Sequence, residues 1–197
     1  AVTAHCPNTG TMLGVAEPDS EVWLSVSDNP KRKLPYTWEL VRADGALVGI
    51  NPLNANRVVS GALETRAVPG VDQYGSFRRE VRYGEGSRVD FLLSEPGLPD
   101  CYVEVKNVHL ARQNGLAEFP DAVTARGAKH LAELARVRAA GSRAIMLFLV
   151  QREDCDRFQV AEDIDPAYGA ALGAAVEAGV EFLCLACQVS LTDITVV

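Results

Sequence analysis

Apolar and polar positions alternate in short bursts over the first fifty residues. Glu21 to Val26 and Tyr36 to Arg42 read as strands, and Leu47 to Ile50 as a third. Between them lie turn signals: Cys6-Pro7-Asn8-Thr9-Gly10, Asp28-Asn29-Pro30, and Ala43-Asp44-Gly45, the last a tight hairpin. Strands this short and this closely spaced predict a small β-barrel. The pattern then slows to a helical period. Asn54 to Ala67 carries Val58, Val59, Ala62 and Leu63 on one stripe and stops at Pro69-Gly70. Phe77 to Tyr83 and Arg88 to Leu93 read as a hairpin through Gly84-Glu85-Gly86, followed by a strand over Cys101 to Leu110. A long helix is predicted from Asp121 to Ala140, with Ala125, Ala128, Leu131, Leu134, Ala135 and Val137 inward and Gly141 capping it. Arg143 to Gln151 holds the apolar run of a central strand. Asp165-Pro166 caps and opens a helix ending at Gly179, and Val180 to Val189 is the last strand.

The order αβββαβαβ after residue 51 implies a mixed sheet covered by helices. The fold class expected is therefore α/β, or α+β overall: a small barrel over 1–51 and a helix-flanked mixed sheet over 52–197. The chain starts without an initiator Met, and Ala1-Val2-Thr3-Ala4 reads as the tail of a strand whose partner precedes it, so a fragment is expected.

Composition narrows this little. The 197 residues carry 19 basic and 26 acidic side chains, a net charge of −7, so any nucleic-acid site must be a local basic patch. No apolar run approaches the roughly 20 residues of a membrane span, and no signal peptide shows. Five cysteines, an odd number with no framework spacing, point to a reducing compartment, the cytoplasm. Cys184 and Cys187 lie three apart on a strand, so their side chains diverge and do not make a zinc pair. His5 and Cys6 lack an orienting third group for nucleophilic catalysis.

The chemistry concentrates in Asp90 and, fourteen residues on, Glu104-Val105-Lys106. Glu104 and Lys106 share a strand face. Three charges on strands that otherwise want burial are costly unless they serve one another or a ligand. Asp90 and Glu104, with the Val105 carbonyl, suit a hard cation, Mg²⁺ or Mn²⁺, for phosphodiester hydrolysis, and Lys106 suits orienting the attacking water. Only four lysines stand against fifteen arginines, so Lys106 marks a place where a compact ammonium is wanted. Glu80 in the preceding strand, and Thr124, Lys129 and His130 on the following helix, are further candidates. Near the N-terminus, Asn29, Lys31, Arg32, Lys33 and Tyr36 combine basic charge with an aromatic, as a polynucleotide-binding loop on a barrel does. A surface strand with solvated ion pairs is the alternative reading of the Glu-x-Lys pattern.

The Asp strand, the Glu-x-Lys strand and the helix and apolar strand after them resemble the restriction-endonuclease-like core of PD-(D/E)xK nucleases. That superfamily often places an acid on the helix before the core, where this chain has Asn56. His5-Cys6-Pro7-Asn8-Thr9-Gly10, Ser27-Asp28-Asn29-Pro30-Lys31-Arg32-Lys33-Leu34-Pro35-Tyr36, Arg88 with Asp90-Phe91-Leu92-Leu93, Tyr102 to Lys106, Phe119 to Thr124 with Arg126-Gly127 and His130-Leu131, and Asp165-Pro166 together resemble the sugar fermentation stimulation protein A family. The resemblance implies an N-terminal oligonucleotide-binding barrel, here short of one strand, and a nuclease-like C-terminal domain. It implies DNA binding and a regulatory link to sugar, notably maltose, metabolism. DNA or RNA is the expected partner, with no membrane and with a homodimer left open. A metal-dependent nuclease and a non-catalytic DNA-binding regulator are the two functional expectations.

Overall fold

The computed structural model describes residues 1–84 and 86–197. The expected turn at Gly84-Glu85-Gly86 therefore lies partly outside the described residues. The N-terminal module holds β1 (Ala4–His5), β2 (Val22–Val26), β3 (Tyr36–Ala43) and β4 (Ala46–Gly49). β3 is central: β2 pairs antiparallel along one edge, and β1 and β4 share the other. Asp44 and Gly45 both take positive φ, 52° and 84°, the conformation a two-residue hairpin matched to strand twist needs.

α1 (Pro52–Glu64) begins two residues earlier than its apolar stripe suggests. The Asn51 side chain accepts from the Leu53 N–H, and Pro52 occupies the first helical position. β5 (Ser76–Tyr83), β6 (Ser87–Ser94), β7 (Cys101–Val108), β10 (Arg143–Val150), β12 (Glu181–Val189) and β13 (Ile194–Val196) form one mixed sheet in the order β13-β12-β10-β7-β6-β5. β7, β10 and β12 run parallel, which explains the unbroken apolar run of β10. A second small sheet unites β8 (Leu110–Gln113), β9 (Gly115–Phe119) and β11 (Cys155–Val160). β9, β11 and β13 are strands that hydrophobic alternation does not reveal.

Two cores flank the main sheet. α1 closes one over Phe91, Leu93, Cys101, Val103, Val105 and Leu147. α2 (Ala125–Ala139) and α3 (Pro166–Glu177) close the other over Val89, Leu92, Val108, Met146 and Phe148. Cys187 belongs to the first core and Cys184 packs against the second, so the two thiols diverge as expected. Burial pushes Cys184 up to about 11 and Cys187 up to about 12, which keeps both as inert thiols at neutral pH. Among the described residues no helix is long and apolar enough to cross a membrane.

α2 corrects two expectations. It starts at Ala125, four residues after Asp121, because Thr124 is the N-cap and accepts from the Gly127 N–H at 3.0 Å. Its inward face carries Gly127, His130, Leu131, Glu133 and Leu134, while Ala125 is exposed. Two ionisable residues thus stand on a face that the apolar stripe alone describes as hydrocarbon. Asp121 takes another task. Its carboxylate accepts from the Met12 N–H at 3.1 Å, and its carbonyl accepts from the Thr11 hydroxyl at 2.6 Å, anchoring the N-terminal turn to the larger unit.

Candidate functional site

β6 and β7 pair through Phe91–Val103, Leu92–Tyr102 and Leu93–Cys101, and the ladder stops there. One step further along the same register, Asp90 stands opposite Glu104. The two strands part at these residues. Asp90 fills the fork: its Oδ2 accepts from the Val105 N–H at 2.7 Å, replacing the missing ladder bond. Its Oδ1 accepts from the Asn56 side-chain amide of α1, also at 2.7 Å. The carboxylate is therefore held from both layers of the fold.

Glu104 is buried, and its Oε1 accepts from the Lys106 ammonium at 2.6 Å and contacts His130 Nδ1. Lys106 Nζ lies 3.5 Å from the same imidazole nitrogen. Arg126 reaches His130 Nε2 at 3.4 Å from one turn back on α2. The two carboxyls are pulled in opposite directions. Burial, then the neighbouring Glu104 charge, raises Asp90 above the usual carboxylate range, against the bonds from Val105 and Asn56. Burial also opposes ionisation of Glu104, but the His130 hydrogen bond and the Lys106 charge outweigh it and hold that carboxyl low.

Among the described residues, several buried polar atoms around Glu104 lack a hydrogen-bond partner. They are Glu104 Oε2 itself, the Tyr83 and Tyr168 hydroxyls and both oxygens of Glu133. A buried acceptor without a partner is costly and invites a ligand or water. Glu104 Oε2 and the spare lone pairs of Asp90 thus fit an oxygen-seeking cation. Among the described residues no group of three or more His, Cys, Asp or Glu side chains gathers to hold a metal. A cation here would rest on two carboxylates and complete its shell with water, phosphate or carbonyl oxygen, a habit of Mg²⁺.

The other candidates fall in different places. His130 joins the site directly. Lys129 lies 3.7 Å from Glu133 one turn along α2, and Thr124 serves as a helix cap whose N–H binds Asp165 Oδ2. Glu80 stands across from Asp90 on β5 but is exposed and makes no contact with Asp90 or Glu104. Val105 contributes its N–H to Asp90. Asn29 folds its own loop: its Oδ1 accepts from the Lys31 N–H and its carbonyl from the Arg32 N–H. Lys31, Arg32 and Lys33 are consequently exposed at the β2–β3 loop, with Tyr36 half-buried at the start of β3. Glu133, Tyr83 and Tyr168 are the members that the sequence pattern leaves out. Glu133 follows His130 by three residues, which places both on one helix face, and that spacing is the signal for it.

Residues 1–50 match the family model described as the SfsA N-terminal OB domain, and residues 53–193 match the sugar fermentation stimulation protein RE domain. A sugar fermentation stimulation protein homolog of Rhodospirillum centenum is 58% identical over 190 residues, spanning 96% of this chain and 82% of that protein. One from Maricaulis maris is 55% identical and spans 99% of this chain and 83% of its own. Among solved structures, Pyrococcus furiosus SfsA in complex with Ca²⁺ superposes with a TM-score of 0.90 at 25% identity, over 99% of this chain and 83% of that one.

Proposed function

The chain belongs to the sugar fermentation stimulation protein family, and we propose that it binds polynucleotides and cleaves a phosphodiester bond with a divalent cation at Asp90 and Glu104. One observation carries the reading. Two carboxylates stand opposite each other where paired strands part, with an ammonium 2.6 Å from one of them. A protein does not bury such a set for stability, since well-packed apolar residues serve as well or better. The Pyrococcus furiosus relative was solved with Ca²⁺, a cation of the same oxygen-seeking kind.

When bound, a divalent cation polarises the phosphoryl oxygen and lowers the pKa of a water. Asp90 and Glu104 would hold it, and Mg²⁺ or Mn²⁺ suits two carboxylates. Lys106, fixed by Glu104, orients the attacking water and offsets the charge that grows on the phosphoryl group. His130 shares Glu104 with Lys106 and fixes the carboxylate's position. The exposed Lys31-Arg32-Lys33 loop meets phosphates, and each such contact adds slightly less than one unit to the slope of log affinity against log salt.

A cleavage panel tests this: labelled single-stranded, duplex and branched DNA and RNA, with Mg²⁺ or Mn²⁺. Lys106→Ala should cut on the order of 10²–10³ more slowly while keeping most of its affinity. Lys106→Arg should not rescue, because a planar fork does not place a point charge where the ammonium sits. The Asn56 amide, which stands beside Asp90 where a carboxylate would complete a ligand set, favours a second reading: a non-catalytic DNA-binding regulator. Binding by the parent with no cleavage under any metal would decide for it.

A further inference from the structure

The β5–β6 hairpin beside Asp90 has an unusual charge arrangement. Arg82 and Arg88 occupy directly opposed positions on the two strands. Like charges so placed repel. Carboxylates are abundant in this chain, and Arg42, Arg112, Arg143 and Arg152 are each held by one. Arg78, Arg82 and Arg88 are exposed and, among the described residues, their guanidinium groups have no ion pair or hydrogen bond. Arg79 lies only over the Phe91 ring, 6.0 Å from its centre. Exposed Glu80, between these arginines in sequence, neutralises none of them.

The backbone explains how they gather. Phe77 and Arg79 point to the α1 side of the sheet, where Phe91 lies. Two residues on, Val81 and Tyr83 point to the α2 side with Val89. Regular alternation keeps residues two apart on one face. The hairpin therefore turns over between the Arg79–Phe91 and Val81–Val89 pairs, at Glu80 and Asp90. Glu80 absorbs the change with a φ of +53°, a left-handed conformation that strains a residue carrying a Cβ. The inversion sends Arg82 and Arg88 to the side that Arg79 already faces. Arg88 is two residues from Asp90, about 7 Å of strand.

Strain and like-charge repulsion thus coincide next to the paired carboxylates. We propose that Arg79, Arg82 and Arg88 form a phosphate track on the α1 side of the sheet that leads the backbone of a polynucleotide strand to Asp90, at the fork where Asn56 of α1 meets it, while Glu104 and Lys106 face the α2 side of the same fork. This rests on the nuclease reading for what happens at the carboxylates. The track itself is a binding surface. A guanidinium fork meets phosphate oxygens bidentately, and a row of phosphates relieves the repulsion that a single carboxylate would not. Contacts of this kind position a strand without reading its sequence.

The test is anisotropy of labelled single-stranded and duplex oligonucleotides over a salt series, with EDTA present so that nothing is cut. Arg82→Ser with Arg88→Ser should weaken binding to every sequence alike and flatten the log–log salt slope by about 1.4 for single strands or 1.8 for duplex. The melting temperature of this variant should stay level or rise, since a repulsive pair is removed. Unchanged affinity and slope in the double variant, with a parent that binds, would overturn the track. So would inorganic phosphate or pyrophosphate displacing the oligonucleotide at equal phosphate concentration, since the ligand would then be a small phosphate compound. Binding that depends on these arginines without any cleavage would remove the nuclease reading and leave the track standing.

Discussion

At the scale of single residues, the decisive contact is Asn56 on Asp90. The amide donates 2.7 Å to Oδ1, and the Val105 N–H donates the same distance to Oδ2. Both favour the ionised carboxylate, yet burial and Glu104 leave Asp90 raised. Asn56→Asp would replace a donor by a second acceptor facing Asp90. Without metal it should lower stability by about 1–3 kcal/mol, the cost of losing a charged hydrogen bond and adding a like charge. With Mn²⁺ a third carboxylate becomes a ligand, so the melting temperature should rise by more in the variant than in the parent. Thermal melts with and without Mn²⁺ measure both, and an equal metal-induced gain in the two proteins would count against a cation beside Asp90. Asp90, Glu104 and Lys106 were legible in the sequence because each is a charge on an apolar strand. His130 was half legible and Glu133 was not. An apolar stripe conceals charged residues that share its face, and only the fold shows that this face looks onto Glu104.

Among the elements, the β5–β6 hairpin departs furthest from its sequence pattern. Phe77 to Tyr83 is readable as a strand, but its change of face at Glu80 is not. Glu80 offers no Gly or Pro to mark a kink. The strands β9 and β11 escaped for a different reason. Cys155-Asp156-Arg157 begins a strand with charge, and its parallel pairing with β9 across forty residues is decided by tertiary packing. The hairpin inversion gives a direct stability prediction. Glycine adopts positive φ without the steric cost of a Cβ, so Glu80→Gly should raise stability by up to about 1 kcal/mol despite its larger unfolded-state entropy. Glu80→Val, β-branched at the same φ, should lower it by about 1–2 kcal/mol. Urea midpoints of the two variants should fall on opposite sides of the parent. If both fell together, Glu80 would not hold a left-handed conformation in solution.

Across the whole molecule, three joints among others tie the N-terminal module to the larger unit. Leu40 of β3 enters the α1-side core, and the Thr11–Met12 turn sits on Asp121. The third joint is at the end of β10, where the Gly49 N–H donates to the Gln151 carbonyl and Arg152 bridges to Val48. Arg152 is almost wholly buried. It donates to both oxygens of Asp154 at 2.6 Å and to the His109 carbonyl at 2.8 Å, and lies 3.6 Å from Asp44 of the N-terminal hairpin. Nothing in the local pattern announces this, because an arginine after an apolar strand ordinarily marks the strand's exit into water. The Arg152 hydrogen bond holds the Asp154 carboxyl below the usual carboxylate range, against the effect of burial. A carboxyl depressed in the folded state adds stability above its unfolded pKa of about 3.9, and that stability drains away as pH falls through the folded value. Asp154→Asn keeps the shape and removes the charge. At pH 7 it should cost about 1.5 kcal/mol, the value for a charge-assisted hydrogen bond reduced for the partial exposure of Asp154. The parent and variant should converge as pH drops below about 4, since the parent then loses the same charge. Denaturation midpoints across that range measure the convergence. A gap that stayed constant with pH would mean that Asp154 acts through packing, and that the joint is not held by charge.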